Sequence, residues 1–194
     1  MLYLEEIIYD RGQVILSQYH WRLQTISLMT IEKICQILLE LIQTSDGELI
    51  TLSSGEEVSF KQLKKYSLNE IEIYQSENEV ILPANYKKLL TIVGSCQCYL
   101  DDGGNGLTFI CLEDSKPLLE KYYSDYLENC PQFFIALDNN LLGDVGGFNL
   151  KDGKFTIIPH DEDPEEWFAT DSNWVDFKQW LDVLVSSSEN QYII

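Results

Sequence analysis

The sequence predicts an α+β fold, on three observations. Apolar residues recur at helical spacing in five segments, most of them opened or closed by a cap or punctuated by Pro. β-rich runs lie between and after those segments. Gly-containing turns join consecutive runs as hairpins, which favours antiparallel pairing. The chain has 194 residues, 45% of them hydrophobic, enough to bury a substantial core.

The elements follow in order. LYLEEIIYDRGQVILSQ reads as two β-rich runs around Arg11-Gly12. TIEKICQILLELIQT sets Ile31, Ile34, Leu38, Leu41 and Ile42 on one helical stripe behind Thr30 as N-cap, and Asp46-Gly47 closes it. ELITLSSGEEVSF alternates on both sides of Ser54-Gly55, a hairpin signal. SLNE places Ser67 three residues before Glu70, the pattern of a capping box, and Leu68, Ile71 and Tyr74 follow on a short helix. ILPANYKKLLTIVG puts Pro83 at the first turn of a helix carrying Tyr86, Leu89, Leu90 and Val93, with Gly94 as its left-handed end. These two helices are expected to pack as a pair. LTFICL reads as an apolar strand and KPLLEKYYSDYLEN as a helix opened by Pro117. FFIALD, GGFNL and KFTIIPH are three strands with turns between them. DSNWVDFKQWLDVLV closes the chain as a helix with Trp174, Phe177, Trp180, Leu181 and Leu184 on one face.

Thirteen basic residues stand against 32 acidic ones, a formal charge of −19. Such a surface repels nucleic acid and anionic lipid, so a charged partner is expected to be basic. Residues 1–66 carry nine acids and six bases, and residues 67–194 carry 23 and seven. A boundary near Ser67 is therefore expected, dividing a small α+β extension, residues 1–66, from a main domain, residues 67–194; the two can share one core. The five cysteines, Cys35, Cys96, Cys98, Cys111 and Cys130, are odd in number and lack a Cys-x-x-Cys pair, so buried reduced thiols are expected, with Cys96 and Cys98 on one face of a strand. Acids stand where a signal peptide needs bases, and no apolar run reaches membrane-span length, which points to the cytoplasm.

GDVGGFNLKDG, Gly143 to Gly153, raises a phosphate loop as an idea. Such a loop feeds a helix N-terminus and carries a cation. Here the glycines lead into a strand, Asp144 and Asp152 sit inside the cluster, and Lys151 and Lys154 lie on the far hairpin, so turn geometry is the expected role. Gly143, Gly146 and Gly147 read as backbone permissiveness where a strand starts, with a β-bulge or a positive φ at Gly146 or Gly147 as the candidate geometries.

FIALDNNLLGDVGGFNLKDGKFTIIPHDED, followed by a Trp/Phe-bearing last helix, resembles the SUKH superfamily, and ILPANYKKLL is similar to that family's Leu-Pro-x-x-Tyr helix start. The matches run from Leu68 to Leu184 in order: helix pair, strand, helix, strand, Gly-Asp-x-Gly-Gly turn, hairpin, His-Asp, terminal helix. Glu79 stands where a Gly commonly separates the first helix from the Leu-Pro segment, and residues 1–66 lie outside the resemblance. The resemblance implies a mainly antiparallel central sheet flanked by helices. It also implies a non-enzymatic binding domain: in bacteria typically an immunity protein against a toxin, in fungi a cell-wall regulator acting through protein contacts. A cognate toxin with a basic surface is thus the expected partner, and a signalling or assembly adaptor is the alternative within binding.

Catalytic chemistry has few footholds. His160 beside Asp161 can in principle be a base oriented by a carboxylate, and a metal-dependent hydrolase using His160 and nearby acids is the alternative of a different class. No nucleophile pattern accompanies it, and a His ring that satisfies a turn carbonyl is the plainer account. Asp161, Asp163 and Glu165 echo a calcium loop, but Glu166 stands where that loop needs Gly and Ser172 where it needs the bidentate acid, so no metal or cofactor is expected. HDEDPEEWFATDSNW is either a solvated cover over core aromatics or the partner surface. In the second reading Asp161, Glu162, Asp163, Glu165 and Glu166 steer the partner and an exposed Trp167 anchors it, with Asp101 and Asp102 contributing from LDDGGNG.

Overall fold

Thr30 Oγ1 accepts from the Lys33 N–H at 3.3 Å and opens α1 (Ile31–Ser45), which Asp46 closes in the left-handed conformation. Ile31, Ile34, Leu38, Leu41 and Ile42 are buried along it, as the stripe predicts. The structure, a computed structural model, describes residues 29–52, 54–123, 132–140, 142–161, 167 and 174–189. The two β-rich runs expected between Leu2 and Gln18 lie outside them.

Hairpin strands β1 (Ile50–Thr51) and β2 (Glu57–Lys64) follow. α2 (Leu68–Asn78) carries the expected capping box: Ser67 Oγ accepts from the Glu70 N–H, and Glu70 Oε2 accepts from the Ser67 N–H at 2.8 Å. Glu79 then ends α2 at φ 54°, so the conformation a Gly would take there is kept by a glutamate. α3 (Ala84–Ile92) starts behind Pro83, touches α2, and packs chiefly on α1. The remaining elements are β3 (Ser95–Leu100), β4 (Leu107–Phe109), α4 (Leu112–Tyr123), β5 (Phe133–Asn139), β6 (Asp144–Asn149), β7 (Phe155–Ile158) and α5 (Phe177–Glu189).

Two boundaries differ from expectation. LTFICL is a strand only as far as Phe109; α4 starts at Leu112, whose N–H donates to the Tyr66 hydroxyl at 2.9 Å, and Pro117 lies inside that helix. Trp174 precedes α5, because Val175 instead exchanges two 2.8 Å backbone hydrogen bonds with Phe155 and covers the start of edge strand β7.

The seven strands form one sheet in sequence order, every neighbouring pair antiparallel. This is an α+β class with a central antiparallel sheet flanked by helices. Side-chain alternation gives the sheet two faces. One carries the main core, where Cys96, Phe109, Leu137 and Phe148 meet α1, α3 and α5. On the other, Phe133, Ile135, Val145 and Ile158 pack with Trp167 and with Leu118 and Leu119 of α4. α1, β1 and β2 belong to this same sheet and main core: β2 pairs with β3, and Phe60 is fully buried.

The glycine pair is explained by space. A β-bulge puts one extra residue, Ala136, into β5 between Ile135, opposite Gly147, and Leu137, opposite Gly146. A Cβ on Gly147 would lie 2.5 Å from the Phe134 carbonyl oxygen, and one on Gly146 would lie 2.8 Å from Ile157 Cδ1. Neither takes the positive φ the sequence suggested; Gly143 does, at 77°.

Candidate functional site

Antiparallel registers decide which loops share an end of the sheet. Ser59 at the start of β2 pairs with Leu100 at the end of β3, so the β1–β2 turn with Glu56 and Glu57 lies beside the Asp101–Gly106 loop. Leu107 pairs with Asn139, and the Asn140 N–H donates to the Gly106 carbonyl at 3.1 Å, which brings the β5–β6 turn alongside. Val145 pairs with Ile158, so Pro159, His160 and Asp161 emerge at the same place. Glu56, Glu57, Asp101, Asp102, Asp144 and Asp161 therefore gather at one end, and no Lys or Arg occurs on these segments among the described residues. Lys64, Lys65, Lys151 and Lys154 lie at the opposite end. Glu56, Glu57 and Asp144 join the expected residues through register, which composition does not reveal.

Two local networks shape this end. Asp101 accepts from the Asn105 N–H at 2.8 Å, and its carboxyl is held below the usual carboxylate range by that hydrogen bond and by the Asn105 side chain. The turn is thus fixed while Asp102 stays exposed. Asp144, 9% exposed, accepts from the His160 N–H at 3.0 Å and lies 3.1 Å from His160 Nδ1. The ring's partner is this carboxylate from β6, neither Asp161 nor a turn carbonyl. Gly143 at positive φ lets the chain enter β6 beside the His160 side chain.

Trp167 corrects one expectation. Its side chain is 1% exposed, its ring centroid is 5.0 Å from that of Phe133, and its carbonyl accepts from Trp174 Nε1 at 3.0 Å. Burying so large a ring against the sheet is worth more than leaving it in water, so the ring belongs to the core and is not an exposed anchor. Glu162, Asp163, Glu165 and Glu166 lie outside the described residues.

Other polar clusters lie elsewhere. Tyr66 donates to Glu113 Oε2 at 2.7 Å, and Lys64 reaches Glu113 Oε1 at 2.8 Å, at the end opposite the acids. Cys96 and Cys98 share a face with their sulfurs 3.6 Å apart, and burial pushes the Cys35 thiol up to about 12. Among the described residues no group of three or more His, Cys, Asp or Glu is arranged to hold a metal ion. No helix among them is long and apolar enough to cross a membrane.

Comparison with known proteins adds a relative. Immunity protein RhsIB of Dickeya dadantii (strain 3937) is 27% identical over 161 residues, covering 81% of this chain and 96% of that protein. The chain is related to an immunity protein. That match supports the SUKH-type assignment made from the ordered motifs. Its length exceeds everything from Ser67 to Ile194, so it also takes in part of residues 1–66. No family profile matches the chain, and no solved structure matches it.

Proposed function

We propose that the chain is a non-enzymatic immunity protein that acts in the cytoplasm by binding a cognate toxin directly, with the acidic end of the sheet as its contact surface. The observation that carries this reading is the convergence of acid-bearing segments from four parts of the chain on one end of a rigid sheet, away from the lysines. Such a one-signed surface speeds encounter with a basic partner and disfavours wrong ones. The Dickeya relative supports the general role. A basic surface on the toxin is the complement this geometry calls for.

The test screens the proteins encoded by the adjacent genes for a toxin and uses the purified toxin so found. The expected result is a stable complex and loss of toxin activity on stoichiometric addition, unchanged in His160→Ala. Loss of neutralisation in a folded His160→Ala chain, together with turnover of the toxin or its product by the wild type, would instead favour the hydrolase reading.

A further inference from the structure

Among the described residues, one face of the sheet is only partly covered. Thr108 pairs directly with Asp138, and Gln97 with Thr108, forming a cross-strand row that continues through Val145 to Ile158 in the smaller core cluster. α4 and Trp167 cover the β5–β7 part of this face. Over β2–β4 no described element covers it: Lys61 is exposed, and Gln97 and Thr108 are only half-buried.

Two polar groups in this row make no hydrogen bond among the described residues. Thr108 Oγ1 is itself shielded from solvent and makes no hydrogen bond. Asp138, half-buried and directly opposite, makes no ion pair or hydrogen bond among the described residues. Polar groups in such surroundings are ordinarily satisfied, and leaving them unsatisfied costs stability. Burial holds the Asp138 carboxyl above the usual range, and Lys121 of α4, the smaller cause, acts in the opposite direction. An unmatched carboxylate and hydroxyl side by side match a group that donates several hydrogen bonds and carries positive charge. The row also lies one residue inside the acidic end, since Leu107 and Asn139 are the next pair out.

We infer that Asp138 and Thr108 seat one cationic side chain, an arginine or lysine of the bound toxin, which reaches inward from the acidic end of the sheet. This rests on the function proposed above. Asp138 takes the charge, Thr108 contributes its oxygen once the side chains that shield it shift aside, and Gln97 borders the seat. The free protein bears the cost of both unsatisfied groups, and binding relieves it.

That asymmetry gives the test a readout a purely structural pair would not show. Thr108→Val and Asp138→Asn are made in the full chain, their thermal midpoints measured without partner, and their affinities measured for the toxin identified in the test above. The expected result is a midpoint equal to or above wild type in both, with affinity reduced at least about tenfold and dissociation accelerated. Affinity within about twofold of wild type in both folded variants would overturn the seat while leaving the proposed function standing, a difference too small to reflect loss of a charged partner. A lowered midpoint for Thr108→Val would also overturn it, because the hydroxyl would then be satisfied within the free chain. If wild-type chain fails to bind the toxin at all, the proposed function falls and the seat with it. Asp102→Asn serves as the rim control and is expected to change the association rate alone.

Discussion

Asp182, 5% exposed on α5, accepts a 3.0 Å hydrogen bond from the backbone N–H of Met29, 153 residues earlier in the chain. Its other oxygen accepts from Ser186 Oγ at 3.3 Å. The start of α1 is thus tied to the last helix, and β2 is tied to β3. We propose that the change in composition near Ser67 marks no folding boundary and that residues 29–189 unfold as one unit. Calorimetry is expected to show a single transition. Asp182→Ala leaves the part-buried Met29 donor without its partner and is expected to cost about 1 kcal/mol, lowering one midpoint without splitting it. Two resolved transitions would contradict a common core.

The glycines of β6 separate two physical demands. Gly147→Ala places a Cβ against the Phe134 carbonyl and the Phe133 ring, backbone and packed side chain that have little room to shift, so a loss of about 1–3 kcal/mol is expected from overpacking. A Cβ on Gly143 would make only ordinary contact with the His160 side chain at 3.8 Å, but its φ is 77°, so Gly143→Asn is expected to cost less than Gly143→Val, as only Asn visits that region readily. Urea melts of the three variants check both. Equal costs for Asn and Val at position 143 would mean that φ is not the constraint.

Glu79 offers the opposite case. It holds a left-handed conformation at the end of α2, where its family resemblance would place glycine, and its backbone N–H bonds to the Gln75 carbonyl. Glu79→Gly removes the Cβ strain and is expected to stabilise the fold by up to about 1 kcal/mol, less the greater chain entropy of glycine when unfolded. The midpoint in urea at constant slope is the measurement, and a clear decrease would show that the Glu79 side chain contributes more than its strain costs.

What the sequence made legible was local. Thr30, Ser67 and Asp46 act within four residues of themselves, so helix ends at α1 and α2 could be read from spacing. The start of α4 could not, because its first N–H is satisfied by a Tyr66 hydroxyl 46 residues away. His160 has the same history: the adjacent Asp161 drew attention, while the carboxylate that meets its ring comes from Asp144 across the β6–β7 pair. Acids on separate turns became one surface only through strand register. Trp167 looked like an anchor because acids surround it in sequence, whereas its ring is buried against Phe133.

Tyr66 joins β2 to α4 and can be isolated by a single atom. Its hydroxyl donates to Glu113 and accepts from Leu112, and burial together with the Glu113 carboxylate raises its pKa, so it stays protonated at neutral pH. Glu113 is opposed by burial, but bonds from Lys64 and Tyr66 outweigh this and hold its carboxyl below the usual range. Tyr66→Phe leaves the Leu112 N–H unsatisfied and is expected to cost about 1–3 kcal/mol. A lowered carboxylate pKa contributes stability above its unfolded value that is lost as pH falls through the folded one. Wild type should therefore lose this contribution below the ordinary glutamate range, and Glu113→Gln should lose less stability over the same acid window. Parallel acid profiles for the two would refute the assignment.

The last prediction concerns how the toxin arrives. If the acidic end steers a basic partner, the association rate must fall as salt rises, while dissociation, governed by close contacts, changes less. Neutralising Asp161, Glu162, Asp163, Glu165 and Glu166 together should slow association, and neutralising Asp101 and Asp102 on the neighbouring loop should add to it, because register brings that loop beside Asp161. Trp167→Ala is expected to behave differently from a surface anchor: removing a buried ring should cost about 3–5 kcal/mol of stability, with binding reduced only as far as the fold is lost. A salt series of binding kinetics with circular dichroism on each variant separates these effects. Salt-independent association, or wild-type kinetics in the folded multi-acid variants, would move the contact surface away from this end of the sheet. Wild-type stability in Trp167→Ala, with faster dissociation, would restore the ring as an anchor.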